Sequence, residues 1–215
     1  MSQPRLREMR CEVSFLKNAD GGCSYSQGST AVWASCSGPG DVHVSRSNEE
    51  CMTVDVSFRG NYGDNKFHPL NNIITSTVSR VINLELFPHT CLVITVHGLQ
   101  DDGSMGAAAL NATCFALLDN GIPFKSIFCG VVVVRVNGAL IVDPTLKQEK
   151  SSDAQILFSI IPSSKNVPEV CGMDSVGSLT VEELDAAWQL ASASASNIFE
   201  FYRSTMKKKH SIDQQ

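Results

Sequence analysis

The sequence has no run of apolar residues near the ~18 needed to span a bilayer, and its N-terminus, Met-Ser-Gln-Pro-Arg-Leu-Arg-Glu, lacks the apolar stretch of a secretory leader. Both absences point to a soluble chain of the nucleus or cytoplasm, with no membrane partner. Aromatic residues make up only 7%, and net charge is −5 with a pI near 5.5. No global positive field therefore draws the chain to a polyanion, and any nucleic-acid contact must be local. Cysteines are present, eight of them, but no Cys-x-x-Cys pair occurs. Structural zinc and a secreted disulfide framework are thereby disfavoured, and reduced, mostly buried thiols are expected. Low-complexity segments are also missing.

What is there is a chain of 215 residues with 43% apolar composition, enough for one sizeable core. Its clearest stretch is Cys91 to Gly121. Cys91 to Val96 is a near-continuous apolar, β-branched run, expected to be a central strand covered on both faces. Asp101-Asp102-Gly103-Ser104 breaks that pattern, and the Ala-rich segment after it reads as a helix closed by Asn120-Gly121. A glycine turn that opens a helix gathers free N–H groups at the positive end of the dipole and suits an anion.

Before this stretch, Cys11–Phe15, Cys23–Gln27 and Ser29–Ser37 alternate as strands, and Cys51–Phe58 is a strand with one apolar face. Leu70, Ile73, Ile74, Val78, Val81 and Ile82 form a helical stripe entered through Pro69 and stopped before Pro88. After it, Ser126–Val136 is a long buried strand that turns through Asn137-Gly138 into Leu140–Val142. Asp143–Lys150 is a charged loop or short helix, and Ala154–Pro162 and Glu169–Met173 are strands. Thr180-Val-Glu-Glu183 is a capping box that opens a last helix with Leu184, Trp188, Ala191, Ala195, Ile198 and Tyr202 on one face. The basic run Lys207–Lys209 reads as a frayed tail. The fold class is α+β, mixed sheets with helices packed on them, as one domain over residues 1–206 and a basic, polar tail over 207–215.

Several short pieces, each weak alone, stand in a telling order: Arg5-Leu-Arg-Glu-Met-Arg10, Ala19-Asp-Gly21, Gly28-Ser-Thr30, Gly38-Pro39, Leu99-Gln-Asp-Asp-Gly103 and Asp143-Pro-Thr-Leu-Lys-Gln-Glu-Lys150. Over nearly its whole length the chain resembles the RNase PH family, phosphorolytic exoribonucleases and ring subunits of the RNA exosome. The resemblance implies a ribosomal-protein-S5-like fold, RNase PH-type exosome subunits as partners, and a role in RNA, including ribosomal-RNA, processing and degradation. It also implies nuclear (including nucleolar) and cytoplasmic residence, contact with RNA or DNA, and a part in apoptotic DNA degradation.

In active members of that family the turn before the Ala-rich helix holds phosphate through a Thr-Arg pair. Here Ser104, Met105 and Gly106 occupy it, so the hydroxyl stays and the guanidinium is gone. The arginines that active members place at the start of the first helix are also absent; Phe67-His68-Pro69-Leu70 stands there. Arg59, Lys66, Arg80 and Lys147 are the remaining candidates for nucleic-acid contact. The expected chain is therefore a non-catalytic subunit without cofactor. The alternative is a nuclease that binds Mg²⁺ through Asp143, Glu149 and Asp153. A third reading is a homodimeric adaptor that recruits another nuclease.

Overall fold

The computed structural model describes residues 6–41, 48–60, 63–64, 69–162 and 168–212. Among these residues two sheets dominate. The first has six strands: β1 (Met9–Val13), β2 (Gly21–Gln27), β3 (Thr30–Asp41), β4 (Thr53–Gly60), β5 (Gly63–Asp64) and β6 (Thr90–Gln100), in the order β1-β2-β3-β6-β4-β5. The second has four: β7 (Cys129–Val136), β8 (Ala139–Val142), β9 (Ala154–Ile161) and β10 (Glu169–Gly177), in the order β10-β9-β7-β8. Helices α1 (Pro69–Val81) and α2 (Met105–Asn120) lie between the sheets. The short α3 (Leu146–Lys150) follows β8, and α4 (Val181–Ile212) covers the far face of the second sheet.

β4 and β6 are the one parallel pair among the described strands, because α1 carries the chain back across the sheet between them. All six residues of the α1 stripe are buried, as their spacing requires. Most of α2 is buried on every side, consistent with a helix between two sheets, and its alanines allow close approach. Gly130 of β7 has no room for a side chain, since an added Cβ would stand 2.9 Å from the Ala107 backbone. On the other side of the second sheet, Phe158 of β9 meets Trp188 of α4 with ring centroids 5.8 Å apart.

One buried polar cluster ties the layers together. Asn111 of α2 accepts hydrogen bonds from the Gly130 N–H and the Tyr202 hydroxyl, each 2.8 Å long, and donates to the Tyr25 hydroxyl at 3.4 Å. First sheet, central helix, second sheet and α4 thus meet at one fully buried side chain.

Two expectations change. β6 is central in its sheet, yet only one face is covered: Leu92, Ile94 and Val96 are buried beneath the helices, whereas Val93 and Leu99 point outward and are exposed. The apolar run therefore records an open outer face as well as a core face. The basic C-terminal run is also helical, because α4 continues to Ile212 and the Lys209 ammonium pairs with the Asp119 carboxylate at the end of α2. The Asn137-Gly138 turn has positive φ at both positions, 50° and 77°, as a tight hairpin between β7 and β8 requires. The Thr180–Glu183 box forms as its spacing implies, with reciprocal bonds of 2.9 and 3.2 Å.

Candidate functional site

The turn between β6 and α2 meets the β8–α3 loop backbone to backbone. Gly103 (φ +90°) makes this approach possible: an added Cβ would lie 2.5 Å from the Pro144 carbonyl oxygen. Leu146 N–H donates to the Asp102 carbonyl at 2.9 Å, and the Ser104 hydroxyl donates to the Pro144 carbonyl at 3.1 Å. Thr30 of β3 fixes the same turn from below, donating to the Gly103 carbonyl at 2.6 Å and accepting from the Asp102 N–H at 3.1 Å. Both Ser104 (φ 58°) and Asp143 (φ 54°) hold left-handed backbone that non-glycine residues seldom adopt.

Asp143 is buried, and its charge is met by Arg7. Arg7 Nη2 donates to Oδ1 at 2.7 Å, and the Arg7 backbone N–H donates to Oδ2 at 2.8 Å. The same guanidinium donates to the carbonyls of Asp102 and Gly103 at 3.0 and 3.1 Å. Burial alone would push the Asp143 carboxyl up. The side-chain and backbone bonds from Arg7, with Gln27 beside them, overcome that and hold it below the usual carboxylate range. Arg7 is thus engaged on the turn, with its Nε buried and unpartnered.

Glu149 takes the opposite position. Reaching from α3, it accepts the Ser104 N–H on Oε1 at 2.7 Å, so a carboxylate from within the chain caps the opening of α2. Burial pushes its carboxyl up, helped by nearby Asp101 and Asp143 and opposed by the Ser104 N–H and Arg7. α3 is itself positioned by a bond from the Thr145 N–H to Gln148 Oε1 at 2.8 Å.

Beside this turn, between the sheets, lies a cleft of about 360 Å³. Phe58, Leu70, Met105 and Leu157 form much of its apolar wall, and Asp101, Glu149, Gln155 and Asp174 its polar part. No Lys, Arg or His is among its described lining residues. The Met105 side chain packs at Gly98, where an added Cβ would stand 3.3 Å from its sulfur. Gly106 is hemmed in by Leu157, 2.7 Å from the place of a Cβ.

The residues singled out from the sequence therefore divide. Ser104, Met105, Gly106 and Glu149 come together at the mouth of α2, with Asp143 just behind them. Asp153 does not join them: its side chain is exposed, and its backbone N–H is bonded to the Arg135 carbonyl at 2.9 Å. Among the described residues no group of three His, Cys, Asp or Glu side chains is placed to hold a metal ion. The Mg²⁺ set of Asp143, Glu149 and Asp153 is accordingly not assembled: the first is bound to Arg7 and the second to a backbone N–H. Arg80 donates to the Cys171 carbonyl at 3.2 Å, Arg59 and Lys147 are exposed, and Lys66 lies outside the described residues. Arg7 and Thr30 had stood in quoted motifs without a role. Their signal was position in the motif, whereas nothing in the sequence marks Asp174 as a cleft residue.

Residues 5–123 match the model of the 3′ exoribonuclease family, domain 1, and residues 126–194 match its domain 2. The chain is 62% identical over 211 residues to an exosome complex component RRP46 homolog of Caenorhabditis elegans, with 98% of this chain and 99% of that one covered. It is 27% identical over 217 residues to the exosome complex component Rrp41 of Archaeoglobus fulgidus, covering 95% and 84%. The crystal structure of rice (Oryza sativa) Rrp46 superposes with a TM-score of 0.88 at 23% identity over 96% of this chain and 98% of that one. That of C. elegans cell-death-related nuclease 5 does so with a TM-score of 0.72 at 49% identity over 97% and 99%. With its two sheets and intervening helices matched from end to end, this chain belongs to the 3′ exoribonuclease (RNase PH) family.

Proposed function

We propose that the chain is an RRP46-type ring subunit of the RNA exosome, assembled with other RNase PH-type subunits, that serves RNA processing and degradation without phosphorolytic activity of its own. The names of its relatives support the assembly. One observation carries the loss of activity: the Glu149 carboxylate occupies the Ser104 N–H at the mouth of α2, in a cleft whose described polar side chains are mostly acidic. Phosphorolysis needs an anionic nucleophile beside an anionic diester, and positive charge to hold both. A carboxylate there repels each. The test is incubation of the purified chain with end-labelled single-stranded RNA and inorganic phosphate. The expected result is intact RNA; release of nucleoside diphosphates by a clean preparation would overturn the reading.

A second reading rests on the name of the 49% identical nuclease. In it the chain acts on DNA in dying cells, in nucleus and cytoplasm, either as a Mg²⁺-dependent nuclease or as a homodimeric adaptor for another nuclease. The engagement of Asp143 by Arg7 favours the adaptor form. Plasmid DNA with Mg²⁺ separates the two, since only the enzyme nicks it alone, and mass in solution reports the dimer.

A further inference from the structure

We infer that Cys11 and Cys23 form a reversible oxidation site, in which hydrogen peroxide converts the two thiols to a disulfide that staples the edge strand β1 to β2. The two sulfurs are 3.5 Å apart, in direct contact across adjacent antiparallel strands. Pairing places Cys11 opposite Tyr25 and Cys23 opposite Val13, so the cysteines are diagonal neighbours on the same, inward face. They differ in access. Cys23 is fully buried, while Cys11 is half-buried and lines an open groove of about 530 Å³ between β1 and the end of α4, beside Phe201 and Thr205. A small peroxide therefore reaches Cys11 first.

The chemistry balances in two steps. The Cys11 sulfur attacks one peroxide oxygen, the O–O bond breaks, and the products are Cys11 sulfenic acid and water. The Cys23 sulfur then attacks the sulfenic sulfur; the S–S bond forms as S–OH breaks, and the hydroxide leaves as water with the Cys23 proton. Two thiols are oxidised and one peroxide is reduced to two waters. Burial, then the adjacent Cys11, pushes the Cys23 thiol well up, which leaves the more accessible Cys11 as the first of the two to meet peroxide. A diagonal pair stands at or just beyond the longest span a disulfide bridges, so closing the bond requires the edge strand β1 to shift toward β2. Cys36 and Cys114, whose thiols burial pushes up to about 12, lack such an exposed neighbour in sulfur contact. This inference is independent of the proposed function.

The test is hydrogen peroxide treatment of the full chain, then alkylation of remaining thiols and peptide mass mapping. The expected product is the tryptic peptide Cys11–Lys17 joined to Asn18–Arg46, with fragmentation placing the link on Cys23 and not on Cys36, lost again on dithiothreitol. In Cys11→Ser the link vanishes and Cys23 stays alkylatable; in Cys23→Ala, Cys11 accumulates as sulfenic acid that dimedone traps. Oxidation of wild-type Cys11 to sulfinic acid with no link, its joining to a different cysteine, or its survival as a thiol while other cysteines oxidise would each overturn the inference. If Cys23→Ala does not fold, the wild-type map and Cys11→Ser decide it.

Discussion

Arg7 and Asp143, 136 positions apart, are joined twice: side chain to side chain at 2.7 Å and backbone N–H to carboxylate at 2.8 Å. The pair closes the N-terminal segment of the first sheet onto the loop that leaves the second. Arg7→Ala strands a carboxylate whose side chain is only 2% exposed. The expected loss is about 3–5 kcal/mol, read from urea unfolding, and Arg7→Lys should recover only part of it because the fork to Asp102 and Gly103 is gone.

The two carboxylates at the turn should give opposite pH signatures. Asp143 has a folded pKa below its unfolded one, so its contribution is present above the unfolded value of about 3.9 and is lost as pH falls through the folded value. Glu149 is raised in the folded chain. Its contribution favours folding below the unfolded value of about 4.3 and is lost as pH rises through the folded value. Unfolding midpoints measured below pH ~4 should therefore fall less steeply toward acid in Asp143→Asn than in wild type. In Glu149→Gln the decline on rising above pH ~4 should be removed.

Glu149→Ala should free the Ser104 N–H and uncover an anion site at the start of α2. Calorimetric titration with inorganic phosphate is expected to show weak binding in the variant and none in wild type. Catalysis should not return, because Met105 supplies no cation.

Asn111→Ala should be among the costliest single truncations. It strands the Gly130 N–H and the Tyr202 hydroxyl, roughly 1–3 kcal/mol each, whereas Tyr202→Phe removes one bond at about 0.5–1.5 kcal/mol. Chemical denaturation of the two variants tests the ranking.

Asp119→Asn should loosen the end of α4, since Asp119 accepts from Lys209, from Ser14 Oγ and from the Gly22 N–H at 2.8 Å. Hydrogen exchange in residues 205–212 should rise while that of 184–200 stays unchanged.

Local rules made much of the architecture legible. The α1 stripe, the Asn137-Gly138 turn and the Thr180–Glu183 box each depend on residues a few positions apart, and each formed as spacing dictates. What was not legible depends on distant partners. The C-terminal lysines look solvated until Asp119 is placed beside Lys209, 90 positions away. Asp143 looks available for a metal until Arg7 arrives. The run from Cys91 to Val96 looked covered on both sides because β-branched residues suit an exposed sheet face as well as a buried one. At the turn itself, the loss of the guanidinium was visible in Met105. The occupant of the vacated N–H was not, since Glu149 stands 45 positions further on.

That occupant behaves as an internal ligand. A carboxylate tethered through α3 meets the Ser104 N–H at an effective concentration set by the chain, on the order of millimolar or higher for short tethers. Free phosphate must compete with it by mass action at every moment the chain is folded. Phosphate therefore displaces the carboxylate only where its free concentration, weighted by its affinity for the N–H, exceeds the effective concentration of the tethered group.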